Sequence, residues 1–336
     1  MTNADDAPWE PPADADRAYA CFPKDHHATA DDGTPLAYAI RNPGGTRIPV
    51  VAASGWSCSD VYWTRLVPAL ESAGHVCIVP DTRGHGRSGL PRSPGRGARN
   101  LSIDDVSMAR LARDLICVMD DANIDRAVVM GHSMGVQTSL EAYRAAPDRV
   151  AALVLVAGTA ENPAKTFYGT AVGDITFPVF AEAVRWMPEL LTPLWAAIGG
   201  PPSIGHLVAR ASRAAGPKAT AEDLAPYLRH LASVDPAVVT LMASAMRAHS
   251  AVDLLPEIAA PTLVVAAGAD VFAPARCSEA IHHGVPDSEL VTFAEAGHTL
   301  PIEEPEALAA AVIDFLDRRV PDAPPKRTRS RRTASA

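Results

Sequence analysis

The chain's 336 residues are 48% hydrophobic and 21% charged, which is enough apolar material for a sizeable core and excludes disorder along the whole length. Its 39 acidic residues outnumber the 30 basic ones for a formal net charge of −9, and Lys326, Arg327, Arg329, Arg331 and Arg332 crowd the last stretch. An acidic body of this kind argues against nucleic-acid binding, because phosphate contacts need net positive surface.

Residues 1–24 are rich in Pro, Asp and Ala and show no period, which predicts a flexible extension. They carry no apolar segment of the kind a secretory or twin-arginine signal needs. The first strands are expected at 36–41 and 49–53, followed by a helix over 60–72 with Val61, Leu66, Val67 and Leu70 on one face. A strand at 75–79, a helix over 104–119 and strands at 126–130 and 151–156 continue the alternation. Between 161 and 250 the pattern changes: Pro163, Pro178, Pro188, Pro193, Pro201 and Pro202 cut the chain into short helical pieces. These pieces hold Phe177, Phe180, Trp186, Met187, Leu190, Leu191, Leu194 and Trp195, and the segment reads as a helical cap inserted into the core. Strands at 262–266 and 289–292 and a helix over 304–318 close the series, and 321–336 reads as a disordered basic tail. The core is therefore expected in two parts, 25–160 and 251–320. Its strand-helix alternation predicts an α/β fold with a mostly parallel sheet covered on both faces.

No run approaches the roughly 18 apolar residues that span a bilayer. The basic tail leaves weak contact with an anionic membrane surface open, although stable anchoring needs a second signal. Cys21, Cys58, Cys77, Cys117 and Cys277 are irregularly spaced and form no CxxC pair, so neither a disulfide framework nor a metal or redox pair is expected. No cofactor is implied, and a reducing cytoplasm is the expected location.

The strand at 126–130 runs into Gly131, His132, Ser133, Met134 and Gly135, and a helical pattern follows through Leu140 and Tyr143. Strand, G-x-S-x-G and helix in that order describe a strained turn that exposes a serine hydroxyl above a sheet. A hydroxyl is a poor nucleophile near neutral pH unless a base takes its proton and a third group orients that base. Two later loops supply such groups at the same sheet edge: Asp270 follows the strand at 262–266, and His298 follows the strand at 289–292. Glu161, after the strand at 151–156, is the second candidate acid. A tetrahedral intermediate also needs two N–H donors, for which Met134, directly after the serine, and Trp56, in the turn after the strand at 49–53, are the candidates. Cys58 lies near that turn without a histidine placed to activate it. The pairs His26–His27 and His282–His283 lack partners at metal-ligand spacing and are read as surface residues.

Taken together, GHSMG, Asp81–Gly89 (DTRGHGRSG), the loop 268–274 and the Gly297–His298 pair before Glu303, Glu304 and Pro305 resemble the α/β-hydrolase superfamily over about residues 26–319. The resemblance implies that Asp81–Gly89 shapes a loop beside the site. Relatives usually carry His-Gly at the oxyanion loop where this sequence has Ser54 and Gly55, which leaves open what supports that loop. Serine at position 133 disfavours the dehalogenase and epoxide hydrolase branches, which use aspartate there. The expected activity is hydrolysis of a small ester with an apolar acyl or alcohol group. Carbon–carbon bond hydrolysis, lactone opening or perhydrolysis by the same residues are the alternatives, followed by a non-catalytic ligand receptor.

Overall fold

The computed structural model describes residues 21–90, 101–166, 202–213 and 215–320. Eight strands form one sheet: β1 (His26–Thr29), β2 (Pro35–Arg41), β3 (Arg47–Ala53), β4 (His75–Pro80), β5 (Ala127–His132), β6 (Val150–Val156), β7 (Thr262–Ala267) and β8 (Ser288–Phe293). Their order is β1-β2-β4-β3-β5-β6-β7-β8. The first two strands pair antiparallel, and every pairing from β4 to β8 is parallel. The strand missed from sequence is β1, because it is only four residues long and buries Ala28 alone while His26 and His27 face solvent.

Strands in the middle of this sheet are covered on both faces, which is why they read as continuous apolar runs rather than alternating ones. Val50, Ala52, Val128, Met130, Val154 and Val156 face one layer, built from α1 (Leu66–Ser72) and a C-terminal helix over Pro305–Arg319. Val51, Ala53, Val129, Leu153 and Leu155 face the other, built from α2 (Met108–Asp121) and α3 (Met134–Ala145).

Two expected helices divide. The first becomes a 3-10 turn at Asp60–Trp63 followed by α1, with Ser59 capping the turn through Val61 N–H. The second becomes a 3-10 turn at Ile103–Val106 followed by α2, because the Ser107 hydroxyl accepts from Arg110 N–H and starts a new helix there.

Between β6 and β7 the described residues form α4 (Pro202–Ala211), α5 (Ala221–Ser233) and α6 (Pro236–Ala248). Thr220 and Asp223 make a reciprocal capping box for α5, and Asp235 with Pro236 opens α6. The apolar residues from Phe177 to Trp195, residues 1–20 of the expected extension 1–24, and the basic tail lie outside the described residues. Residues 21–24 of that extension are not loose, because Phe22 and Lys24 are buried and the N–H groups of Cys21 and Phe22 donate to Asp60. Three further helices follow among the described residues: α7 (Ala275–Gly284), α8 (Leu300–Glu303) and α9 (Pro305–Arg319).

Asp81–Gly89 is held by charge and hydrogen bonds. Fully buried Lys24 bridges Asp60 and Asp81 at 3.1 and 3.4 Å, and Arg83 forks onto Asp114 at 2.6 Å through both Nε and Nη2. Gly86 (φ 54°) lies so close to the Asp81 carboxylate that a Cβ there would stand 2.3 Å from it.

Candidate active site

Ser133 stands between β5 and α3 with φ 56° and ψ −117°, a conformation that costs about 1–3 kcal/mol for a non-glycine residue. The flanking glycines make the turn feasible. A Cβ on Gly131 would lie 2.2 Å from Gly135 O, and one on Gly135 would lie 2.0 Å from Ala53 O, so α3 packs against β3 and β5 only if both positions lack side chains. Ser133 N–H donates to Val156 O at 3.0 Å, which ties the turn to the neighbouring strand.

The C-terminal ends of β7 and β8 bring the other two groups. Gly268 N–H donates to Phe293 O and Ala269 N–H to Ala296 O, so the loops that carry Asp270 and His298 are stitched together. His298 Nε2 lies 2.8 Å from Ser133 Oγ, and His298 Nδ1 lies 2.7 Å from Asp270 Oδ2. Because the carboxylate accepts, Nδ1 carries the proton and Nε2 is free to accept the serine's. Burial alone would raise the Asp270 pKa. The adjacent imidazole and the N–H groups of Phe272 and Ala273, both donating to Oδ1, outweigh it and hold Asp270 below the usual carboxylate value.

Two supports of the His298 loop escape a reading of spacing. His132, seen from sequence only as the variable residue of the pentad, places Nε2 2.9 Å from His298 O and stacks on Tyr62 with ring centroids 4.7 Å apart. Burial and neighbouring His298 push its pKa down to about 3, so it stays neutral and Nε2–H is the donor. Glu303, expected only at a helix start, is buried and accepts from Gly297 N–H and Thr299 Oγ1–H, the residues on either side of His298.

Met134 is the first residue of α3, where a backbone N–H has no acceptor inside the helix. Trp56 lies beside the site, since a Cβ on the preceding Gly55 would stand 3.2 Å from Ser133 Cβ. The Trp56 indole donates to Val239 O at 2.8 Å, which ties this loop to α6, and Ser54 Oγ accepts from the Trp63 indole at 3.1 Å. That bond ties the loop to the 3-10 turn at Asp60–Trp63, at the position where the resemblance implies a histidine.

Glu161 pairs with Lys165 at 3.5 Å, whereas Asp270 occupies the position against His298. Cys58 is buried, and burial pushes its thiol up to about 12. Among the described residues no cluster of His, Cys, Asp and Glu is arranged to hold a metal, and no helix is long and apolar enough to cross a membrane.

Ser133 and His298 open on a cavity that reaches solvent, walled by Trp56, Tyr62, Tyr227, Leu224, Met246 and Phe272 among others. No Lys, Arg, Asp or Glu lines it among the described residues.

Comparisons with known proteins agree with this architecture. A protein from Variovorax paradoxus (strain S110) named "Putative carbamate hydrolase RutD" is 28% identical over 298 residues, covering 84% of this chain and 97% of its own. An esterase from Thermogutta terrifontis superposes with a TM-score of 0.65 at 24% identity, covering 88% of this chain and 99% of its own. The enol-lactonase from Burkholderia xenovorans LB400 gives 0.63 at 23%, covering 87% and 100%. Both solved structures share the fold. The model of the α/β hydrolase fold family matches residues 48–305, and with the sheet order and flanking helices it establishes that this chain is a hydrolase belonging to the α/β hydrolase fold family.

Proposed function

We propose that this protein hydrolyses an uncharged carboxylic ester through an acyl-enzyme on Ser133. His298 Nε2 takes the Ser133 proton as Oγ attacks the ester carbonyl. The N–H groups of Trp56 and Met134 receive the oxyanion, and Asp270 stabilises the imidazolium through Nδ1–H. Collapse of the tetrahedral intermediate breaks the carbon–oxygen bond, and His298 returns the proton to the departing alcohol. A water molecule then repeats the sequence on the acyl group and frees the acid. The observation that carries this reading is the unbroken hydrogen-bonded chain Ser133–His298–Asp270, at 2.8 and 2.7 Å, in a wall of the cavity. The expected cap at 161–250, of which α4, α5 and α6 are described, is proposed as the cover of that cavity, with Leu224 and Tyr227 of α5 reaching its lining.

Carbamate or lactone cleavage by the same groups is the second reading. It is supported by the name of the Variovorax relative and by the uncharged lining, which suits either bond. The test is a screen of nitrophenyl esters of graded chain length, aryl carbamates, lactones and diketones. Ester turnover is expected to dominate, and Ser133→Ala is expected to lower kcat/KM by about 10³-fold or more. Carbamate or lactone turnover far above every ester would select the second reading. Unchanged turnover by Ser133→Ala would remove both.

A further inference from the structure

Resting on the reading of Ser133 and His298 as nucleophile and base, we infer that Glu303 is a second, opposed carboxylate for the general base. It positions the His298 loop, compensates the imidazolium charge, and ties that loop to the inserted helices. Its Oε1 accepts from Gly297 N–H at 3.2 Å, from Thr299 Oγ1–H at 2.7 Å and from Gly216 N–H at 3.2 Å. Gly297 and Thr299 bracket His298, while Gly216 lies in the connection between α4 and α5. One buried oxygen therefore joins the base to the segment beneath which the substrate cavity lies.

The two glycines fit this role and no larger residue does. A Cβ on Gly216 would stand 1.8 Å from Glu303 Oε2, and one on Gly297 would stand 2.8 Å from Gly216 Cα. Lys218, two residues after Gly216, ion-pairs with the neighbouring Glu304. The three N–H and O–H donors stabilise the Glu303 carboxylate as dipoles. Among the described residues, His298 is also contacted by Asp270 and Phe272 from the loop after β7, and by His132 and Ser133 from the end of β5. Asp270 holds Nδ1, His132 holds the backbone carbonyl, and Glu303 holds both flanking residues. When Ser133 gives up its proton the imidazole becomes a cation, and a fixed anion nearby favours that change.

Glu303→Gln separates charge from scaffold. A glutamine whose oxygen occupies the Oε1 position keeps all three short contacts and loses only the charge and the 3.3 Å contact of Oε2 with Gly297 N–H. Glu303→Ala removes the scaffold as well. The experiment measures the rate of fluorophosphonate labelling of the full chain between pH 5 and 9 for wild type and both variants, with thermal melting as the control for folding. For Glu303→Gln the plateau rate is expected to fall about 10-fold and the acid limb to move about 0.5–1 pH unit lower, since the base has lost a nearby anion. A limb and plateau unchanged in a folded Glu303→Gln protein would overturn the inference, whatever Glu303→Ala does. A lower plateau with an unmoved limb would leave a scaffold and overturn the charge role. Wild-type protein that takes no label at Ser133 would overturn the hydrolase reading and this inference together.

Discussion

At the scale of single residues, His298 is held at several points: Asp270 at Nδ1, His132 at the backbone carbonyl, and Glu303 through the flanking Gly297 and Thr299. Ser133 and Asp270, which the structure brings to either side of the His298 ring, lie where chemistry restricts the sequence: a strained turn needs glycine on both sides, and a carboxylate proposed to orient a base must follow a strand at the same edge. His132 and Glu303 were not legible: His132 meets the backbone carbonyl of His298 and Glu303 accepts from the backbone N–H of Gly297 as well as from Thr299 Oγ1–H, and a backbone partner leaves no trace in the sequence at its own position. His132→Phe tests this reasoning. The ring keeps its place on Tyr62, while His298 O loses its 2.9 Å donor. The expected result is kcat lowered about 10-fold with KM within about 2-fold, because a loosened base affects the transition state more than substrate binding. A large rise in KM with kcat unchanged would instead place His132 in substrate binding.

Elements follow a different logic. Central strands were placed to within a residue or two because a run such as Val150–Val156 is buried along its whole length and has only one way to satisfy both faces. Helix beginnings were less visible. Ser107 was hidden inside a continuous apolar period until its hydroxyl was found to start α2, and β1 carries too few buried side chains to give a pattern. The closing helix is the most dependable of the set: Leu308, Val312, Phe315 and Leu316 of α9 are all fully buried against the sheet. Phe315→Ala leaves a cavity in that layer and is expected to cost about 3–5 kcal/mol of unfolding free energy, read from denaturant midpoints. A loss below 1 kcal/mol would mean that α9 packs loosely and is not part of the core that holds β8.

At the scale of the whole molecule, buried histidines set the response to acid. Burial pushes His85 down to about 4 and His132 down to about 3, and it carries His230 well below its ordinary value. The unfolded chain binds a proton on each near pH 6.5, whereas the folded chain does so only at lower pH. Between those limits the unfolded state holds more protons, so stability falls as pH drops below about 6.5. Asp270, with a lowered pKa, adds to the loss once the pH passes below the ordinary carboxylate value, while Asp81, raised by burial, opposes it. The melting midpoint is therefore expected to drop by more than about 5 °C between pH 7.5 and 5. A flat profile over that range would mean that these imidazoles are solvated or charged in the folded protein. The acidic overall charge was plain from composition, but this dependence was not, since burial of a histidine is a property of the fold.

Mass spectrometry of protein quenched during turnover of a nitrophenyl ester tests the acyl-enzyme most directly. The expected spectrum shows the chain heavier by one acyl group, mapped to the peptide that contains Ser133 and missing from Ser133→Ala. Steady ester turnover with no adduct at Ser133, retained in Ser133→Ala, would contradict the mechanism.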